Sequence, residues 1–167
     1  MNSKTVLITG ATSGMGMQIA RHFARNGWKL LCHFNTVCDN VAILKKELEA
    51  LGVSCTFIQV DFTAKGQVEA FLKKLEGHAV DSLINNAGTY TVSKHFTELG
   101  WPELEKTFMV NTFTPLLIAA RLYPQMQQQG FGRIVNISSI AAKYGGSSLW
   151  IYDEHFSRQY GFWRPYI

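Results

Sequence analysis

Two hydrophobic periods alternate along this chain. Short aliphatic or β-branched runs give way to stretches with an apolar residue every three or four positions. Thr5 to Thr9 is the first such run and reads as a buried strand. Met17, Ile19, Ala20, Phe23 and Ala24 then recur at helical spacing, with Gly27 as a stop. Trp28 to Phe34 predicts a second strand, and Val41, Leu44, Leu48 and Leu51 a helix that Gly52 closes. Ser54 to Val60 predicts a third strand ending at Asp61. Thr63 is the candidate cap of a helix carrying Val68, Phe71, Leu72 and Leu75. Val80 to Ile84 reads as a fourth strand. Pro102 then opens a helix running through Phe108, Val110, Leu116, Leu117 and Ile118 towards Met126. Pro115 and Pro124 should kink or shorten that helix. Gly130 and Gly132 break it, and Arg133 to Ser138 is the fifth strand.

Strands alternating with helices imply an α/β fold with a doubly wound parallel sheet, Rossmann-like, and helices on both faces. Ligands of such sheets bind at the carboxyl ends of the strands. The unusual residues gather at those ends. Gly10-Ala11-Thr12-Ser13-Gly14-Met15-Gly16 follows the first strand, Asp61 the third, Asn85-Asn86-Ala87-Gly88 the fourth and Ser138-Ser139 the fifth. A glycine turn between strand and helix can hold a pyrophosphate on the free N–H groups and dipole of the helix start. Gly10 would permit the tight turn, Gly14 the approach of backbone to phosphate, and Gly16 the packing of helix on strand. Asp61 can accept from an adenine amino group or cap the next helix, and the residues alone leave both open. Amides at Asn85 and Asn86 can tie neighbouring loops together, while Gly88 lets backbone approach a ligand; a simple turn is the other reading.

Composition narrows the class further. The chain has 167 residues, 47% hydrophobic and 17% charged, which suits one globular domain. No apolar run is long enough to span a membrane. The N-terminus lacks the basic-then-apolar pattern of a signal peptide. The net charge of +4 is thinly spread, and Lys45-Lys46 and Lys73-Lys74 fall on helix surfaces, so no nucleic-acid footprint is expected. Cys32, Cys38 and Cys55 show neither metal nor redox spacing, which gives no metal site and fits a reduced, cytoplasmic setting.

The motifs resemble, in order and spacing, the short-chain dehydrogenase/reductase family. They are Thr9-Gly10-x-x-x-Gly14-x-Gly16, Asp61, Asn85-Asn86-Ala87-Gly88, Asn111 and Arg133-Ile134-Val135-Asn136-Ile137-Ser138-Ser139. The match runs from residue 3 to about residue 152 and is most similar to the 3-oxoacyl-(acyl-carrier-protein) reductase group. The resemblance implies an NAD(P)H-dependent oxidoreductase that interconverts carbonyls and alcohols by hydride transfer. Its catalytic residues would be Asn111, Ser139 and Tyr152, with Asn111 holding a water near the active site. The cofactor would lie on Thr9, Gly10, Thr12, Ser13, Gly14, Met15, Gly16, Asp61, Phe62, Asn86, Ala87 and Gly88. The chemistry agrees with those types, since a carbonyl that receives hydride needs a proton and hydrogen bonds at its oxygen. The expected substrate is a small or acyl-linked carbonyl compound, with Thr89, Tyr90 and Ala141 to Leu149 lining the mouth of the site.

NAD users of this fold commonly carry an acid at the end of the second strand. Here Cys32-His33-Phe34-Asn35-Thr36 has none, and no arginine serves a 2′-phosphate. The missing acid removes a repulsion and favours NADP(H) over NAD(H), with His33, Asn35 and Thr36 as candidate phosphate contacts. A further departure follows Tyr152. The family places a lysine four residues on, where it binds the nicotinamide ribose and lowers the tyrosine pKa, and this chain has Phe156. His155 and Arg158 are the nearest cations. Residues 153–167 carry Phe156, Tyr160, Phe162, Trp163 and Tyr166, an aromatic-rich tail outside the resemblance. The family continues through further strands, a helix and a substrate lid, so a dinucleotide-binding unit over 1–152, truncated after the fifth strand, is expected. Relatives form homodimers or tetramers through the helix corresponding to Pro102 to Gln129 and the helix after it. Assembly is therefore expected to be weakened.

Overall fold

In the computed structural model, which describes residues 3–90 and 99–139, one five-stranded sheet carries the chain. The elements are β1 (Thr5–Ile8), α1 (Gly14–Arg25), β2 (Lys29–Phe34), α2 (Asp39–Ala50), β3 (Cys55–Gln59), α3 (Lys65–Leu75) and β4 (Ser82–Asn85). They continue with α4 (Trp101–Phe108), a π turn (Met109–Phe113), α5 (Thr114–Gln128) and β5 (Arg133–Asn136). All pairings are parallel and the order is β3-β2-β1-β4-β5. The α/β doubly wound reading therefore holds.

Alternation along each strand divides the core into two layers. Val6 and Ile8 of β1 join Leu30, Cys32 and Ile84 beneath Met17, Ala20 and Ala24 of α1 and Leu44 and Leu48 of α2. Leu7, Leu31 and Leu83 turn the other way, onto Val68, Phe71, Leu72 and Leu75 of α3 and Ile118, Leu122 and Met126 of α5. β1 is central, so its apolar residues are fully buried on both faces. β1 leads to β2 on one side while β4 lies on its other, so the order reverses between them. In doubly wound sheets the ligand crevice forms at such a reversal, here above the ends of β1 and β4.

Local details refine or revise the expectations. The cap of α3 is Ala64, not Thr63. Thr63 instead donates its backbone N–H and its hydroxyl to Asp61 Oδ1, at 2.8 and 2.7 Å, in the turn before the helix. Pro124 lies within α5 without ending it; Ala120, whose carbonyl loses the usual donor four residues on, is exposed. Pro115 cannot donate to the carbonyl four residues back. The helix widens there into the π turn, Thr114 N–H bonding the Met109 carbonyl. Strand ends also shift by one or two residues, β5 stopping at Asn136 before Ser138.

Candidate active site

Gly10 leaves β1 with φ +63°, a conformation that glycine adopts without strain. It also sits against Ala87 and the Asn86 amide, so a side chain there would crowd the β4 loop. A Cβ at Gly16 would strike the Gly10 carbonyl and the Ala11 backbone, so helix and turn touch only because residue 16 is glycine. Gly14 is different: nothing lies within 4 Å of the place a Cβ would take. It opens α1 beside exposed Met15, with Ser13 as the cap, whose Oγ accepts from Gly16 N at 3.1 Å. The Gly14 and Met15 N–H groups precede the first intrahelical bonds and form an open donor pair at the positive end of the helix. An anionic pyrophosphate fits this edge in charge, and the bare Gly14 leaves it room.

The turn is held from both flanks. On the β4 side, the Asn86 amide donates to the carbonyls of Thr9 and Gly10, at 2.9 and 3.0 Å, and to Ser13 Oγ at 3.3 Å. Thr9 Oγ1 accepts the backbone N–H groups of Asn86 and Ala87, at 3.0 and 2.9 Å, and donates to the Ile84 carbonyl. Thr9 is thus a buried hub. From α2, Asn40 donates to the Thr12 carbonyl at 3.0 Å. Asn40 was not among the residues expected from sequence; a lone amide one residue into a helix carries little signal by itself.

The β2 flank corrects one expectation. His33 is 2% exposed and cannot reach a phosphate in the crevice. Its Nδ1 accepts from Gly10 N at 3.1 Å and its Nε2 donates to the Val60 carbonyl at 3.0 Å. Its ring stacks on Phe62 at 3.9 Å and 3°. Burial holds its pKa down at about 4, against a smaller opposing effect of the Val60 hydrogen bond, so the ring is neutral. The side chain of Phe62, 3% exposed, is likewise core, which leaves only backbone at that position for a ligand. Asn35 and Thr36 are exposed at the end of β2. Asp61 is partly buried; Oδ1 serves Thr63, while Oδ2 has no partner among the described residues. Cys32 is fully buried, and burial, with Cys55 adding to it, pushes its thiol up to about 12. That thiol is inert packing.

At the other side of the crevice, Asn85 Nδ2 donates to Asn136 Oδ1 at 2.9 Å, and the Asn85 carbonyl accepts Ile137 N at 2.9 Å. These two bonds register the β5 exit, and with it partly buried Ser139, against the β4 loop. Asn111, 3% exposed in the π turn, grips Thr89 with both ends of its amide: Oδ1 accepts the Thr89 N–H and Nδ2 donates to the Thr89 carbonyl, each at 2.8 Å. The side chain expected to hold a water also ties the β4 loop to this helix. Exposed Gly88 and Tyr90 flank this grip. Tyr152, Phe156, residues 141–149 and the 153–167 tail lie outside the described residues. The glycine turn, the β4 loop and the β5 exit thus all lie at the carboxyl ends of their strands.

The sequence pattern of the family described as short chain dehydrogenase matches residues 4–153. The chain belongs to that family. Among curated relatives, the ketoacyl reductase HetN of a Nostoc species is 31% identical over 147 residues, covering 87% of this chain and 50% of its own length. The chain therefore spans half the length of that relative. A solved short-chain dehydrogenase from Sphingobium yanoikuyae in complex with NADPH superposes with a TM-score of 0.84 at 32% identity, covering 92% of this chain and 61% of that one. A ketone-specific alcohol dehydrogenase from Comamonas testosteroni superposes at 0.86 with 31% identity, covering 94% and 63%. The family pattern ends one residue after Tyr152, so position 156 stands beyond it.

Proposed function

We propose that this chain is the cofactor-binding part of an NAD(P)H-dependent oxidoreductase acting on a small or acyl-linked carbonyl such as a 3-oxoacyl thioester, and that as given it binds cofactor with little turnover. The observation that carries the binding half is the open Gly14 and Met15 donor edge on a turn clamped from two sides. NADP(H) is the preferred form: no acid stands at the end of β2, where Asn35 and Thr36 are exposed. The NADPH carried by the Sphingobium relative supports the same preference.

A bound nicotinamide supplies the hydride, and the protein supplies orientation. Thr9, Gly10, Gly16, Asn86 and Ala87 hold the turn, while Ser13, Gly14, Met15 and Gly88 face the ligand. Ser139 holds the carbonyl oxygen through its hydroxyl, and Tyr152 provides the proton to that oxygen as negative charge develops. Asn111 keeps the Thr89 loop, one wall of the site, in place.

The weak step is the proton. An unperturbed tyrosine titrates near 10, so bringing it to about 7 takes roughly 4 kcal/mol of differential stabilisation. Phe156, where the family has lysine, supplies no charge for this. If the cation provided half of that amount, its loss slows the chemical step about thirtyfold. The test is fluorescence-detected binding of NADPH and NADH, then NADPH oxidation with 3-oxoacyl thioesters and small ketones beside a Tyr152→Phe control. NADPH binding without turnover is expected. Tighter NADH binding overturns the cofactor preference, and turnover near one per second (order of magnitude,) that vanishes in the control overturns the impairment.

A further inference from the structure

We propose that His33 is the positioning residue of the cofactor turn: its imidazole fixes the Gly10 amide and thereby the direction in which the Gly14 and Met15 donors face. This deepens the nucleotide-binding reading and rests on it. Gly10 is the second residue past β1, its N–H has left the strand ladder, and His33 Nδ1 receives it at 3.1 Å. The next amide, Ala11 N–H, goes to the backbone carbonyl of the same residue at 2.8 Å. His33 therefore takes two consecutive amides of the turn, one with its ring and one with its backbone. Asn86 grips the same turn by its carbonyls. The Thr9–Gly10 peptide is thus pinned by its oxygen from β4 and by its nitrogen partner from β2.

Only one protonation state of the ring satisfies both neighbours. Gly10 N–H is a donor, so Nδ1 must carry a lone pair; the Val60 carbonyl is an acceptor, so Nε2 must carry the proton. The ring cannot swing away. Phe62 lies parallel to it at 3.9 Å and Phe71 closes in at 5.9 Å. An acceptor so fixed acts on a residue with φ +63°, where a released peptide can rotate most freely. Phe62 is also the neighbour of Asp61, so the same ring links the phosphate turn to the end of β3.

His33→Asn and His33→Gln separate positioning from packing. An asparagine carboxamide oxygen reaches where Nδ1 accepts, and a glutamine amide nitrogen reaches where Nε2 donates. Each variant keeps one hydrogen bond and loses the other. Titration with NADPH, followed by fluorescence, should leave His33→Asn within about threefold of wild type and weaken His33→Gln about tenfold, with both melting temperatures lowered alike. Equal affinities in the two variants overturn the proposal, because a purely structural histidine would give that result. Amide exchange without nucleotide gives a separate readout. Gly10 N–H should exchange faster in His33→Gln than in His33→Asn, and equal rates overturn the proposal. If the wild type binds neither NADPH nor NADH, the nucleotide reading fails, while the exchange rates still decide the role of His33. Should His33→Gln not fold, the wild type itself decides. A nitrogen–nitrogen coupling across the Gly10 N–H to Nδ1 bond is expected, and its absence in the folded chain overturns the proposal.

Discussion

His33 and Asn111 are buried polar side chains, and each bonds backbone at both ends of its polar group. The two differ in what acid does to them. The folded His33 titrates at about 4, against 6.5 for the free side chain, chiefly through burial. A histidine with a lowered folded pKa contributes its full stability above about pH 6.5 and loses it as the pH falls towards 4. The shift corresponds to about 3 kcal/mol. Denaturant unfolding of wild type and His33→Asn at pH 7 and pH 4 should therefore show the wild type losing about 3 kcal/mol relative to the variant. The comparison cancels the carboxylates common to both. An unchanged difference across that range would mean that the ring is protonated without penalty in the fold.

The decisive element is the segment from α4 through the π turn into α5. Pro115 removes the donor that a regular helix needs, the chain widens by one residue, and Asn111 turns inward at that point. Its two bonds to Thr89 tie this helix to the loop after β4. Asn111→Ala would leave the Thr89 N–H and carbonyl unpaired at a partly buried position. A loss of about 2–3 kcal/mol follows, from the cost of unmade hydrogen bonds. Chemical denaturation measures it, with NADPH affinity expected to change less than stability, because the glycine turn is held by other residues. A greater loss of affinity than of stability would place Asn111 in the cofactor site itself.

At the scale of the molecule, β1 is flanked by strands on both edges and by helices on both faces, whereas β3 lies at one end of the order and β5 at the other. Amides of β1 and β4 should therefore show the slowest native-state exchange, and those of β3 and β5 should open sooner. Hydrogen exchange resolved by residue checks this, and β5 protected as well as β1 would contradict it. The alternation of periods 2 and 3.6 was enough to determine the element order, the parallel sheet and the location of the site at the strand ends, because burial on both faces demands that pattern. Gly10, Gly14 and Gly16 were legible for the same reason: turn, open edge and close packing each need the absence of a side chain. Tertiary structure alone decided which polar side chains turn into the core. A histidine at the end of an apolar strand can point at a phosphate or into the core, and only the neighbours that β3 and α3 bring, Val60, Phe62 and Phe71, settle it inward. Likewise Thr63, Pro124 and Asn111 took roles fixed by partners distant in sequence or by access to water, which no local pattern encodes.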